Sequence, residues 1–250
     1  MTARHALVTG GNTGIGRAIA LALAAEGVAV TICGRRVELL EAVAAETPGI
    51  HAVAADVTDE ASVAALYEKA EAARGPFDIV VANAGVASSA PAWKTSLDEW
   101  KRILDVNLTG AFLTVRPALK GMADRKRGRI VFVASVAGLR GSAYVAPYVA
   151  SKHGVVGLMR ALAAELLMTG VTVNAVCPGY VETEMLERSI RNVMEKTGRS
   201  QEDARRGFAE INPNHRLIQP GEVAAAVMWL VSDAAASVTG QPVAISGGGL

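Results

Sequence analysis

Short, almost wholly apolar runs alternate along the chain with longer segments whose apolar residues recur every three or four positions. The runs lie near residues 5–9 (HALVT), 28–33 (VAVTIC), 50–55 (IHAVAA), 77–82 (FDIVVA), 129–134 (RIVFVA), 171–176 (VTVNAV) and 242–246 (PVAIS). Their length and β-branched content read as strands. Most lack in/out alternation, as parallel strands do when both faces are covered. The segments at 14–27, 37–46, 59–73, 97–123, 147–170 and 221–233 carry the helical period. Seven strands joined by helices predict an α/β fold, a doubly wound parallel sheet in one domain over residues 1–250. One stretch breaks the alternation. Residues 183–216 are helical in pattern and rich in charge, and they follow a core strand directly. The part from about 184 to 214 is expected to cover an edge or mouth of the sheet.

Composition narrows the classes. Apolar residues make up 51% of the 250, enough for a sizeable core. Charge is balanced at 25 Lys+Arg against 24 Asp+Glu, which gives no reason for a nucleic-acid or polyanion partner. The start, MTARHALVTGG, runs straight into a strand and turn, so no leader is read there. The most apolar stretch, 21–33, is broken by Glu26 and Gly27 and does not read as a membrane span. A soluble cytoplasmic protein is the expectation. The two cysteines, Cys33 and Cys177, lie in strand-like runs. They read as buried free thiols of a reducing compartment, with a disulfide as the alternative.

Candidate chemistry gathers at the ends of the strands. The first strand runs into TGGNTGIG, with Gly10, Gly14 and Gly16 just before a helix. Amides at a helix N-terminus favour anions, and glycines let a pyrophosphate approach. A plain glycine-rich loop is the bland alternative, but the position between first strand and first helix favours a dinucleotide. The second strand ends in TICGRR, with no carboxylate to hold ribose hydroxyls. Arg35 and Arg36 there can neutralise a 2′-phosphate, which selects NADP over NAD; otherwise they are solvent-facing. Farther on, PYVASKHG opens a helix with Pro147 and puts Tyr148 and Lys152 one turn apart on one face. A lone pair of this kind is common on surface helices. Here Ser135 closes the fifth strand, on the side where doubly wound sheets bind ligands. Asn107 lies inside a helical segment that does not favour asparagine.

With these residues the sequence resembles the short-chain dehydrogenase/reductase family over essentially its full length, and a Rossmann-type sheet is what that resemblance implies. TGGNTGIG resembles the family's cofactor turn, which brings in Asn12, Thr13 and Ile15 beside the glycines. Asp56 and Val57 match the pair at the adenine, and Asn83, Ala84 and Gly85 match the motif after the fourth strand. Asn107, Ser135, Tyr148 and Lys152 match the catalytic tetrad in order and spacing. CPGYVET matches the turn whose Pro178, Gly179, Val181 and Thr183 hold the nicotinamide amide. By resemblance Tyr148 exchanges the proton, Lys152 lowers its pKa and holds ribose hydroxyls, Ser135 binds the substrate oxygen, and Asn107 positions a water. No metal is implied. One departure stands out: the family has an asparagine where this chain has Ala82, which bears on local stability more than on chemistry.

Substrate identity is less legible. The closest likeness is to ketoreductases of 3-oxoacyl thioesters and polyketide chains, so a small carbonyl or acyl-thioester substrate is implied. NAD-dependent alcohol dehydrogenases and a non-catalytic nucleotide-binding protein are the rivals. The covering segment mixes Met185, Leu186, Ile190, Val193, Met194 and Phe208 with arginines such as Arg188, Arg205 and Arg206. It reads as a lid over an acyl or ring group, or as an amphipathic pair with a solvated face. A basic cluster, Arg125 to Arg129, suits either an acidic carrier protein or a helix C-terminus. Ser142 and Tyr144 are expected in the pocket wall. A homotetramer is the family's common state, and the C-terminal run VTGQPVAISGGGL suits an interface.

Overall fold

The computed structural model describes residues 4–248. Strands β1 (His5–Thr9), β2 (Ala29–Gly34), β3 (Ile50–Ala54), β4 (Ile79–Ala82), β5 (Gly128–Val133), β6 (Val171–Pro178) and β7 (Pro242–Ile245) form one sheet. Its order is β3-β2-β1-β4-β5-β6-β7, and every pairing is parallel. The fold is the doubly wound Rossmann-type sheet that the pattern predicts. The apolar strands are explained by two separate cores. On one face α3 (Glu60–Arg74), α5 (Gly110–Asp124) and α6 (Ala146–Glu165) pack through Leu66, Val115 and Met159. On the other, α1 (Gly14–Ala25), α2 (Val37–Glu46) and α9 (Pro220–Leu230) pack through Leu23, Leu40 and Val227. Strand β1 shows the logic: Leu7 joins the first core while Ala6 and Val8 join the second.

Winding runs outward from β1 in one direction and from β4 in the other. The crevice at their carboxyl ends is where such sheets bind ligands. The expected helix over 97–123 is interrupted. α4 (Leu97–Leu104) passes through a π-helical turn at Asp105–Thr109 before α5 begins. A one-residue expansion of this kind re-aims the side chains that it carries, and π turns collect at functional sites. The charged stretch after β6 folds as α7 (Glu184–Thr197) and α8 (Gln201–Ile211), which close a small third core with Leu186, Ile190, Ala204 and Leu217. Cys33 and Cys177 are free and buried, so the disulfide alternative falls. Burial pushes the Cys33 thiol up to about 12 and Cys177 up to about 11, which leaves both unreactive. Among the described residues no helix is long and apolar enough to cross a membrane.

Candidate active site

The carboxyl end of the sheet opens into a cleft of about 700 Å³. All the residues singled out for the glycine turn, the arginine pair and the catalytic group line it, except Asn107, which lies behind the wall.

At the nucleotide end, Gly10 and Gly14 take left-handed backbone angles (φ 64° and 52°) that favour glycine. A side chain at Gly16 would drive into the Gly10 carbonyl and the Asn83 amide, so α1 can start this close to β1 only with glycine there. No side chain caps α1, and its first turn carries no acid. Its N-terminal amides are therefore open toward the cleft and suit a pyrophosphate. The turn is pinned from the next strand. Asn83 Nδ2 donates to the Thr9 carbonyl (2.8 Å), and the amides of Asn83 and Ala84 both donate to Thr9 Oγ1 (3.0 Å each). Ala82 is buried in the core beneath them, and the tie to Thr9 runs through Asn83 without the missing asparagine.

Arg35 and Arg36 flank the cleft at the end of β2, together with Asp56. Arg35 lies 3.8 Å from Asp56, and Arg36 lies 3.4 Å from Glu184 and 3.5 Å from Thr13 Oγ1. These pairs are exposed and long, so neither guanidinium is firmly committed. Asp56 also holds a turn, accepting from the Thr58 amide (2.9 Å) and hydroxyl (2.8 Å). The Thr58 amide first, with its hydroxyl and Arg35, keeps the Asp56 carboxyl below its ordinary range against some desolvation.

The chemical end is built on β5, α6 and the turn after β6. Ser135 follows β5, accepts the Ala137 amide at Oγ (3.1 Å) and faces the Pro178 carbonyl at 3.4 Å. Pro147 sits in the first turn of α6 and Tyr148 follows it, half-buried. Lys152, one turn on, is 4% exposed and donates to the Val133 carbonyl (2.8 Å). That ammonium has three N–H groups and this one described acceptor, so the remaining two suit a ligand rich in hydroxyls, such as a ribose. Gly154 lies tight against Leu108 of the π turn, whose side chain would have to shift to admit a Cβ there.

Two sequence expectations meet the geometry here. Burial raises the Tyr148 phenol above its ordinary range, opposed by the Ser135 hydroxyl; the expected lowering rests on Lys152 together with a bound oxidised nicotinamide. The ammonium lies over the phenol ring, 5.6 Å from its centre, and its own pKa is pulled down to about 8 by desolvation. Asn107 is likewise better explained than its helical setting suggests. Its Nδ2 donates to the Val86 carbonyl (2.9 Å) and Ser151 Oγ (3.0 Å), and its Oδ1 accepts the Val86 amide (2.8 Å). The side chain thus clamps the loop after β4 to α6.

After β6, the amide of Gly179 donates to Ile245 (2.9 Å), Val181 bridges to Ile218, and Thr183 Oγ1 caps α7 by accepting from Leu186 (3.4 Å). Thr183 also lies against Gly14, joining the two ends of the nucleotide site. Asn212 was not singled out from sequence. It is buried and holds both the amide and the carbonyl of Tyr180 (3.0 Å each), fixing the turn from the far end of α8. An asparagine before Pro213 at a helix end is the only local sign of it. Tyr180 and Arg140, also unremarked, line the cleft, as do Ser142 and Tyr144.

The basic cluster lies at the opposite end of the sheet, before β5. Arg125 donates to the Phe77 carbonyl (2.9 Å), Arg127 pairs with Asp78 (3.8 Å) and Arg129 with Asp233 (3.5 Å). Only the Arg125 contact is short; the pairs of Arg127 and Arg129 are as long as those of Arg35 and Arg36, so they do not decide between the two readings. Among the described residues no cluster of His, Cys, Asp and Glu is placed to hold a metal.

The profile of the short chain dehydrogenase family matches residues 4–193. The acetoacetyl-CoA reductase of Shinella zoogloeoides is 40% identical, over 98% of this chain and 98% of that protein. The D-beta-hydroxybutyrate dehydrogenase of Cupriavidus necator is 37% identical, over 96% and 95%. Among solved structures, a variant actinorhodin polyketide ketoreductase crystallised with NADPH superposes with a TM-score of 0.95 at 38% identity, covering 99% of this chain and 98% of that one.

Proposed function

The chain belongs to the short-chain dehydrogenase family, and from that premise we propose that it is an NADP(H)-dependent ketoreductase acting on 3-oxoacyl thioesters or related ketones. It is an oxidoreductase of CH–OH groups with a nicotinamide cofactor. The observation that carries the finer reading is the shared cleft: an open, glycine-built helix N-terminus, two loosely held arginines, and Ser135, Tyr148 and Lys152 at its floor.

Bound there, the nicotinamide supplies the hydride for the carbonyl carbon. The chain's residues do the rest. The N-terminal amides of α1 hold the pyrophosphate, with Asn12, Thr13 and Ile15 shaping the turn. Arg35 and Arg36 exchange weak carboxylate contacts for a 2′-phosphate, which a guanidinium grips by paired hydrogen bonds. Asp56 and Val57 border the adenine, and Asn83 to Gly85 form the wall behind it. Lys152 holds ribose hydroxyls, while the turn from Pro178 through Val181 to Thr183 receives the carboxamide. Ser135 donates to the substrate oxygen as charge develops there. Tyr148 gives that oxygen a proton. Burial raises the phenol's pKa and so favours its protonated form, the one that reduction needs. Asn107 keeps the loop and α6 in register, and its backbone orders the water that resupplies protons.

The half-buried edge strand β7 and the exposed Trp229 of α9 support assembly into a homotetramer through the C-terminal face. Gly249 and Leu250 of that run lie outside the described residues.

Initial rates of NADPH oxidation with acetoacetyl-CoA test the proposal. Fast turnover with NADPH and little with NADH is expected. Arg35→Ala should raise KM for NADPH about tenfold and leave NADH unchanged. Equal effects on both cofactors would remove the phosphate role. Reduction of cyclic ketones but no thioester would move the substrate to free ketones.

A further inference from the structure

The two ends of the cleft differ in how their charge is balanced. Only two carboxylates line it, Asp56 and Glu184, and both sit at the nucleotide end beside Arg35 and Arg36. The substrate end is walled by α7, α8 and the loop after Ser135. It holds two further arginines, Arg140 and Arg188, and the one carboxylate on its α7 wall, Glu184, is the one that lies beside Arg36.

Neither arginine pairs with an acid among the described residues, whereas the two arginines of α8 do. Arg205 is held by Glu182 and Glu187, and Arg206 by Asp203 and Glu202. Arg191 of α7 is unpaired as well among the described residues, but of the two only Arg188 lines the cleft. The residues of that helix facing the cleft recur at 184, 185, 188, 189, 192 and 193, and Arg188 is central to this face, with Ser189 and Asn192 beside it. Arg140 approaches from the other wall, close enough to Tyr180 for its charge to favour the phenolate against burial. Both guanidiniums are exposed, so both lie toward the mouth, away from the buried Lys152.

On the reading above, we propose that Arg140 and Arg188 form an anion subsite for the substrate's distal arm, and that the arm carries a phosphate, as a phosphorylated pantetheine thioester does. Two guanidiniums without an acid partner on facing walls of one cleft draw an anion from solvent. A phosphate offers enough acceptor oxygens for both. The apolar wall of Met185, Val193 and Phe208 takes the uncharged stretch between phosphate and carbonyl. Coenzyme A and a carrier protein both present this chemistry.

The test compares acetoacetyl-CoA, acetoacetyl-4′-phosphopantetheine and acetoacetyl-pantetheine, which differ in phosphate and share the reacting end. Dissociation constants are read by calorimetry on NADP-saturated protein, with kcat/KM alongside. Arg140→Gln and Arg188→Gln should each weaken the two phosphorylated ligands about tenfold, leave acetoacetyl-pantetheine within about twofold, and leave the dissociation constant of NADPH unchanged. Arg188→Lys should recover part of the loss. An effect confined to acetoacetyl-CoA assigns the subsite to its nucleotide phosphates, and one shared with the phosphopantetheine ester assigns it to the arm. Equal losses on all three ligands, or none, would overturn the subsite even if every thioester is reduced. Arginine-dependent binding of phosphorylated ligands without reduction would leave the subsite standing and sink the ketoreductase reading instead.

Discussion

Replacing Tyr148 with phenylalanine lowers kcat for ketone reduction by about 10³-fold, while NADPH affinity stays within about twofold. The substitution removes one oxygen and keeps the ring that packs in the first turn of α6. Ser135 remains to bind the substrate oxygen, but its hydroxyl is engaged toward Pro178 and Ala137 and has no cation to resupply it. Residual catalysis is then what positioning alone achieves. Steady-state rates and a nicotinamide fluorescence titration on the same preparation separate the two quantities. A variant retaining a tenth or more of the rate would end the proton-donor assignment, and parallel loss of NADPH binding would point to a distorted site.

Lys152→Met should give a protein that is nearly inactive and yet more stable than the parent. The ammonium is almost completely buried with no carboxylate partner, and desolvation brings its pKa from 10.5 to about 8. A lysine whose folded pKa lies below its unfolded one costs stability. The cost is fully present below about pH 8, fades as pH rises from there toward 10.5, and vanishes above both values. The shift corresponds to roughly 3 kcal/mol. Losing the hydrogen bond to the Val133 carbonyl returns about 1 kcal/mol of that. Urea denaturation at neutral pH should therefore show the variant ahead by about 2 kcal/mol, with the gap closing at alkaline pH. A variant less stable than the parent at neutral pH would show that the charge is compensated in the native protein. The same group sets the pH dependence of reduction, which should be level below about pH 8 and fall above it as Lys152 loses its proton.

The stability cost of Lys152 makes sense only as part of a site. An apolar residue at that position would satisfy the core around Val155 and Val156, and the chain instead keeps a buried charge where it can meet hydroxyls.

Much of this was legible in the chain itself. Apolar runs such as FDIVVA and RIVFVA mark central strands because a residue covered on both faces must be apolar wherever it points. The glycine turn before α1 and the Tyr148–Lys152 pair are local as well: spacing along one turn or one helix is enough to put their atoms together. Strand ends were placed to within about two residues, and Ser135, Tyr148 and Lys152 converge on one cleft as their order along the chain implied. Other features depend on what folding brings in from far along the chain. Asn107 looks misplaced in a helix until Val86 and Ser151 close on it. Arg188 and Arg205 look alike in sequence, yet Glu182 and Glu187 take one and leave the other facing the cleft. Arg125 of the basic cluster finds the Phe77 carbonyl, an acceptor that only the fold brings to it. The direction of the Tyr148 shift follows from burial that only the packed site creates. Periodicity and spacing act over one or two turns of chain. Burial, ion pairing and the choice of hydrogen-bond partner are settled between residues tens of positions apart, so the fold has to form before they exist.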